Sequence, residues 1–186
     1  LVFIDQEKYD EALEVYDLII SFDSTYWKAH YNKADIFQLQ EKYTEELYSR
    51  DIVISYNLEN PDRYTERADC YVAMEDYTSA LKDLDKAIEL APENPYYYNN
   101  RADFYKTQEN YDEALKDYAT VIEISTDDDQ TTRAINDRAV IYASQGKHDL
   151  AIEEYTKAIE IDPKEPIYYE NRGRRYLVKE VYEKAL

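Results

Sequence analysis

The sequence has little of what builds sheets, disulfides and membrane spans. Its 186 residues include 2 Gly and 5 Pro, too few for the turns of a many-stranded sheet, so the composition favours helices. A single cysteine, Cys70, excludes a disulfide within the chain and fits a reducing compartment. No stretch approaches the roughly 18 apolar residues of a spanning helix, and no signal peptide is recognisable. We expect a cytoplasmic protein, and the missing initiator Met suggests a piece of a longer one.

Basic residues are also scarce. The chain has 22 Lys and Arg against 41 Asp and Glu, which gives a net charge of −19. An acidic surface repels nucleic acid and anionic membranes, so neither is expected as a partner. Basic partners are tolerated, although acidity that serves only solubility would give the same composition.

What the sequence does contain is a repeated phrase, Tyr-x-x-Ala-Leu or a variant of it. The spacings between successive copies are 34, 34, 34, 37 and 34 residues. A fixed period of this length predicts stacked helix-turn-helix units. The copies begin at Tyr9, Tyr43, Tyr77, Tyr111, His148 and Tyr182.

Within each unit, numbered by places 1 to 34, small and aromatic residues recur at fixed places. In the unit that begins at Pro61, places 4, 11 and 24 hold large side chains, places 8, 20 and 27 hold alanine, and place 32 holds proline. In the order of the chain these residues are Tyr64, Ala68, Tyr71, Ala80, Leu84, Ala87 and Pro92. This pattern resembles the tetratricopeptide repeat over essentially the whole chain. The resemblance implies an all-α fold, a right-handed α-solenoid with about four full units and a partial unit at each end. The expected single array has a partial unit 1–26, units 27–60, 61–94, 95–131 and 132–165, and a partial unit 166–186.

The repeated places have a physical reason. Small residues at places 8 and 20, among them Gly173 and Ala185, would let two facing helices approach closely. Tyrosines at places 4, 11, 17 and 24 would fill the surrounding space, so we interpret them as packing residues. Pro at place 1 suits the first turn of a helix. The cut terminal units are expected to expose apolar surface and to permit self-association.

Two positions depart from the pattern. Glu46 and Arg50 stand at places 20 and 24, where a small and an aromatic residue belong. Burying both charges is costly, so we expect a rotated helix that points them to solvent rather than a pair at a buried seam. The longest spacing arises near Asp127, Asp128 and Asp129, which we expect at the start of a lengthened helix, where the helix dipole favours negative charge.

No residues indicate catalysis. The two imidazoles, His30 and His148, stand at core places of different units, and the sequence has no phosphate loop, nucleophile elbow or metal-binding motif. We therefore predict that the chain is not an enzyme and that it has no cofactor and no bound metal.

By the resemblance, ligands bind on the concave surface formed by the first helix of each unit. Asn residues there could hold a peptide backbone, since an amide both donates and accepts hydrogen bonds, and the interleaved acids could select basic side chains. A merely solvated polar face remains the alternative. We call the following predicted residues the candidate face: Tyr31, Asn32, Asp35, Glu66, Asp69, Tyr96, Asn99, Asn100, Asp103, Asn136, Asp137 and Asn171.

The expected partner is therefore a protein or peptide, held as an extended, basic or neutral segment. The family's carboxylate clamp for chaperone C-terminal tails needs Lys and Asn, then Asn, then Lys and Arg at defined places, and no register of this chain supplies them. Tried from the first full unit, these places hold Tyr31, Asp35, Glu66, Tyr96 and Asn100. A chaperone tail is thus not expected. The alternatives are a structural spacer or self-assembling solenoid, and the interaction part of a larger protein whose catalytic domain lies elsewhere.

Overall fold

The structure, a computed structural model, describes residues 8–185 and the side chains of residues 8–180. This part of the chain forms ten α-helices and no strand, which confirms the all-α helical repeat expected from the sequence. The helices are α1 (Tyr9–Phe22), α2 (Trp27–Leu39), α3 (Tyr43–Tyr56), α4 (Pro61–Ala73), α5 (Tyr77–Leu90), α6 (Pro95–Thr107), α7 (Tyr111–Ile124), α8 (Asp128–Ser144), α9 (His148–Ile161) and α10 (Pro166–Ala185).

The helices fall into two compact parts, Leu1–Ala91 and Pro92–Leu186. We call these two parts the first unit and the second unit; each contains several of the 34-residue repeats. In the first unit α1 packs on α2, α2 on α3, α3 on α4 and α4 on α5. In the second unit α6 to α10 pack in the same sequential way, and α6 also contacts α8. Within each of the two units, every helix therefore contacts its neighbours in the chain, as stacked helical hairpins require.

The turn inside each hairpin has one residue in the left-handed region. The φ angles are 56°, 60° and 57° at Glu41, Glu75 and Glu109, and 73° at Gly146, all at place 15. The residue that follows donates its backbone N–H to a carbonyl five residues earlier, for example Lys147 to Tyr142 at 2.9 Å. This is the Schellman arrangement that ends helices, and glycine occupies it without the strain that a side chain causes.

In three hairpins the first helix, α4, α6 or α8, begins at a side-chain cap. Asn60 and Asn94 accept hydrogen bonds from the backbone N–H two residues on, and Pro follows each at the first helical position. At α8 the cap is Asp127, whose carboxylate accepts from the N–H groups of Asp129 and Gln130. The expectation for the three aspartates is confirmed, since they start a helix of 17 residues where α2, α4 and α6 have 13.

Small residues are buried between the helices of the hairpins at the places that the repeat predicted. Those at places 8 and 20 are almost wholly buried: Ala34, Ala68, Ala102 and Ala139, and Ala12, Ala80, Ala114 and Ala151. In the second unit Ala102 and Ala114 share one core cluster with Tyr118, Val121 and Ile141. Because no side chain larger than a methyl intervenes there, the helices approach closely and the larger residues pack around the contact.

The last helix departs from this rule. Gly173, expected at a close helix contact, is exposed, and a Cβ added there would meet nothing within 4 Å. The reason is that α10 continues to Ala185 as one helix of 20 residues, so within the described chain it packs on α9 but has no second helix of its own repeat. The expected small contact at Ala185 lies outside the residues whose side chains are described.

Tyrosines behave as packing residues at some of the expected places only. Tyr64, Tyr118 and Tyr155 are buried, at places 4 and 24. Tyr77 and Tyr169, also at predicted packing places, are exposed instead. A phenol combines an apolar ring with a hydroxyl that water can solvate, so it tolerates a rim position that a purely apolar side chain would not.

The alanine contact gives a direct test of the packing. Ala114→Leu adds volume between α6 and α7 and should lower the unfolding free energy by about 1–3 kcal/mol. Ala119→Leu is the matched control, because Ala119 lies on the same helix and is exposed. Urea denaturation of both variants measures the effect. Equal unfolding free energies of Ala114→Leu and Ala119→Leu would mean that the contact at Ala114 can accommodate a larger side chain.

Candidate binding face

Glu46 and Arg50 do not point to solvent, so the expected helix rotation is wrong. Their side chains are 0% and 4% exposed, and Arg50 Nε lies 3.4 Å from Glu46 Oε1. The sequence interpretation counted the cost of burying two charges but not the additional partners that the fold brings to Arg50. These partners offset part of the desolvation cost, although Glu46 Oε2 stays buried without a hydrogen bond.

The additional partners of Arg50 are carboxylates of the candidate face. Its NH2 lies 3.0 Å from Asp35 Oδ1 on α2, and its NH1 lies 3.3 Å from Glu66 Oε2 on α4. The guanidinium carbon also lies 5.5 Å from the centre of the Tyr31 ring. Arg50 therefore reaches from α3 to the first helices of two successive hairpins and joins their acids.

Glu66 collects most of the polar contacts in this part of the face. It accepts hydrogen bonds from Arg63 at 2.8 and 2.9 Å and from the Tyr31 hydroxyl at 3.2 Å. The Arg63 guanidinium stacks on the Tyr31 ring, 4.3 Å from its centre. The structure thus brings together Tyr31, Asp35 and Glu66, three of the predicted face residues.

Burial shapes the protonation of this cluster. Desolvation raises the pKa of Glu46 above its ordinary 4.5, and the Arg50 charge opposes the shift. The pKa of Asp35 is raised for the same reason, again against Arg50. Burial, with Glu46 nearby, raises the pKa of the Cys70 thiol to about 12, so this cysteine stays protonated and unreactive at neutral pH.

In the second unit a lysine joins the corresponding acids. Lys106 Nζ lies 2.8 Å from Asp103 Oδ1 on its own helix and 3.0 Å from Asp137 Oδ1 on α8. The Tyr118 hydroxyl on α7 donates to Asp103, and Asn99 Nδ2 donates to the other oxygen of Asp103 at 3.4 Å. Desolvation raises the pKa of Asp137, and Lys106 opposes that rise.

The remaining amides of the face differ in how they are held. Asn171 on α10 donates to Asn136 on α8 at 3.4 Å, which links two successive first helices. Asn32 and Asn100 make no side-chain hydrogen bond within the described residues. Asp69 is exposed, and it too has no hydrogen bond or ion pair there, although surrounding protein raises its pKa.

Asn100 lies in a cleft of the second unit with a volume of about 420 Å³. The cleft also holds three other predicted face residues and the exposed Arg133, which no described carboxylate pairs. Its lining residues are Tyr96, Asn99, Asn100, Asp103, Val121, Gln130 and Arg133. The cleft therefore combines amides and one cation with the apolar surface of Tyr96 and Val121.

The sequence interpretation missed a second set of ion pairs, which joins the two helices in three of the hairpins, α4 with α5, α6 with α7 and α8 with α9. Arg67 pairs with Asp83 at 2.7 Å, and Arg101 pairs with Asp117 at 2.8 Å. Arg138 pairs with Glu154 at 2.6 Å. The signal in the sequence was a basic residue followed by an acid at one constant separation, recurring with the repeat period. These buried acids stabilise the hairpins and are not available to a ligand.

Two further features are absent from the described residues. No helix within residues 8–185 is long and apolar enough to cross a membrane. The same part of the chain contains no group of three or more His, Cys, Asp or Glu side chains that could hold a metal ion. His30 and His148, at their expected places, lie in different units.

Helical hairpins stacked with a regular sequence period define a helical repeat protein, and comparison with known families gives the particular one. The chain belongs to the tetratricopeptide repeat proteins. The family model described as tetratricopeptide repeat matches residues 94–164, and one described as TPR repeat matches residues 68–109. Proteins of this family are typically non-catalytic scaffolds for protein–protein interaction. No curated protein sequence matches the chain.

Solved structures of repeat proteins share the fold at low sequence identity. A tetratricopeptide repeat protein from Parabacteroides merdae is 21% identical with a TM-score of 0.76, over 98% of this chain and 72% of that one. YrrB, described as a TPR protein with an unusual peptide-binding site, is 24% identical with a TM-score of 0.68, over 92% and 87%. MamA from Desulfovibrio magneticus RS-1 is 14% identical with a TM-score of 0.70, over 88% and 90%.

Removing Arg50 should expose how strongly the buried pair depends on it. Arg50→Met leaves Glu46 buried without its cation and should lower the unfolding free energy by about 3–5 kcal/mol. The double variant Glu46→Ala with Arg50→Tyr restores the residue types of the other hairpins and should be close to wild type. Thermal and urea unfolding compare the variants. Equal losses of unfolding free energy in Arg50→Met and in the double variant would contradict the conclusion that the unpaired charge of Glu46 causes the loss.

The raised pKa of Glu46 gives a pH dependence with a definite sign. A carboxyl whose folded pKa is raised contributes stability below its unfolded pKa, and this contribution is lost as the pH rises through the folded pKa. Relative to Glu46→Gln, the wild type should therefore gain stability as the pH falls from 7 towards 4.5. Urea unfolding of both proteins across this range measures the difference. A wild type that loses stability relative to the glutamine variant would show that the pKa is lowered instead.

Proposed function

We propose that the chain is a protein–protein interaction scaffold whose candidate face holds an extended, basic or neutral segment of a partner. In this proposal the units 27–60, 61–94, 95–131 and 132–165, with the partial units 1–26 and 166–186, act as a single array. Membership in a family of interaction scaffolds supports the general role. The description of YrrB as a protein with a peptide-binding site supports a peptide as the form of the ligand.

The observation that carries the proposal is the state of Asn100. Its amide lies in the cleft and makes no hydrogen bond within the described protein. An amide of this kind can donate to a peptide carbonyl and accept from a peptide N–H at once, which suits an extended backbone of any sequence. The exposed ring of Tyr96 beside it offers apolar contact to a side chain of the segment.

The test is the loss of binding on removal of the amide. Peptides of defined neutral and basic composition are screened for binding, and the tightest is titrated against wild type and Asn100→Ala. Loss of one or two backbone hydrogen bonds should weaken binding about tenfold, with no change in melting temperature. Glu123→Ala, an exposed truncation on α7, is the control and should bind as wild type does. Unchanged affinity in Asn100→Ala would refute the assignment of the face.

A further inference from the structure

Two acid pairs of the candidate face have the same arrangement in different units. In each pair, one acid stands at place 9 of a repeat and the other at place 6 of the next repeat. The pairs are Asp35 with Glu66, and Asp103 with Asp137. A cation of the protein itself bridges each pair, Arg50 in the first unit and Lys106 in the second.

The bridging cations come from unrelated positions. Arg50 stands at place 24, on the second helix of its hairpin, and reaches the acids of the candidate face from the interior, with 4% of its side chain exposed. Lys106 stands at place 12 of the first helix and is 27% exposed. The place that Arg50 occupies in its repeat, place 24, holds Tyr118 in the repeat of Lys106, and the Tyr118 hydroxyl donates a hydrogen bond to Asp103. Two different residues thus place a positive charge between equivalent acids.

A bridged acid pair is a poor site for a cation of a ligand. The oxygens that would receive a ligand's guanidinium or ammonium group already receive the donors of Arg50 or Lys106, and the nearby positive charge repels a second one. Arg50 is too deeply buried to move aside without leaving Glu46 unpaired. The negative formal charge of these residues therefore overstates how strongly they attract a basic segment.

Asp69 is the contrasting position. It stands at place 9 of the repeat between these two, and Leu84, which has no polar group, occupies the corresponding place 24. Asp69 is exposed as a residue, and its carboxylate has no ion pair or hydrogen bond within the described residues. Desolvation raises the pKa of this carboxyl, while the charge of Arg50, which lies beyond ion-pair distance, opposes that rise. A basic side chain of a ligand could therefore pair with Asp69 without displacing a group of the protein.

We propose that Arg50 and Lys106 are specificity-determining residues, which fill the cation sites of the face from within and leave Asp69 to pair with a basic side chain of the partner. This inference rests on the proposed function and narrows it. The segment meets neutralised acids at the two bridged pairs, so basic side chains are favoured at Asp69 alone among these five acids. The partner is accordingly a mostly neutral segment rather than a polybasic one.

The first experiment needs no peptide. Methylguanidinium chloride, with N-methylurea as its neutral counterpart, is titrated into wild type, Lys106→Met and Glu46→Ala with Arg50→Tyr, and backbone amide shifts are followed by NMR. In wild type, no saturable shift is expected at Asp103, Asp137 or Asp35. Lys106→Met should show saturable guanidinium binding at Asp103 and Asp137 at least about fivefold tighter than wild type, as for an exposed ion pair.

Matched variants control for net charge and for folding. Lys116→Met removes an exposed lysine that pairs with Glu113 outside the face, and it should behave as wild type. The double variant should gain guanidinium binding at Asp35; if it fails to fold, Lys106→Met alone decides. Saturable binding to wild type that is as tight as binding to Lys106→Met would overturn the proposal.

A second experiment separates this inference from the proposed function. The peptide acetyl-Gly-Ser-Arg-Ser-Gly-amide and its citrulline counterpart are titrated into wild type, Asp69→Asn and Asp103→Asn. The preference for arginine is the ratio of the dissociation constants of the citrulline and arginine peptides. This ratio should fall about fivefold in Asp69→Asn and stay unchanged in Asp103→Asn. A preference lost in Asp103→Asn instead would overturn the inference. If neither peptide binds any protein, the proposed function fails, while the guanidinium titration still decides whether the acid pairs are filled.

Discussion

The fold depends on the close contact between one small residue at place 8 and another at place 20 of each hairpin. Ala102 and Ala114 are fully buried in this contact, and the larger side chains pack around them. An interior at crystalline density leaves no room for a longer side chain without a shift of the helices. One hairpin breaks the rule, because Glu46 occupies place 20 and is nevertheless completely buried. The other departure in this hairpin, Arg50 at place 24, is the ion-pair partner of that carboxylate.

A buried carboxylate needs opposite charge close by, and the consequences extend to the binding face. Arg50 supplies this charge from the next turn of the same helix, but its guanidinium has more donors than Glu46 can accept. The remaining donors reach Asp35 and Glu66 on two first helices. Glu46 stands in the interior where the other hairpins have alanine, and through Arg50 it therefore determines how Asp35 and Glu66 on the candidate face are neutralised. In the second unit, where Ala114 keeps the usual contact, Lys106 and Tyr118 hold the equivalent acid instead.

Much of the candidate site was accessible from the sequence as a set of positions, but its chemistry was not. The repeat register placed Asn99, Asn100 and Asp103 on one helix face, and the structure finds them lining one cleft. The interpretation of the acids as cation selectors ignored the cations that the fold brings to them from other helices, Arg50 to Asp35 and Lys106 to Asp137. These two pairs use different places of the repeat, so they give no periodic signal, unlike the recurrent pairs that join the helices of three hairpins.

The sequence by itself determined the helical hairpins, their register and their turns, because these depend on local chemistry that recurs in most of the repeats. That chemistry is alanine at the contact, a cap or proline at the start of the first helix, and a break before the second helix. Only the tertiary structure decided which charges are free. Whether a carboxylate is neutralised depends on side chains from other helices within about 4 Å, and on how much water the packing removes. For that reason the sequence identified Asp35 and Asp69 as equivalent, and the structure separates them.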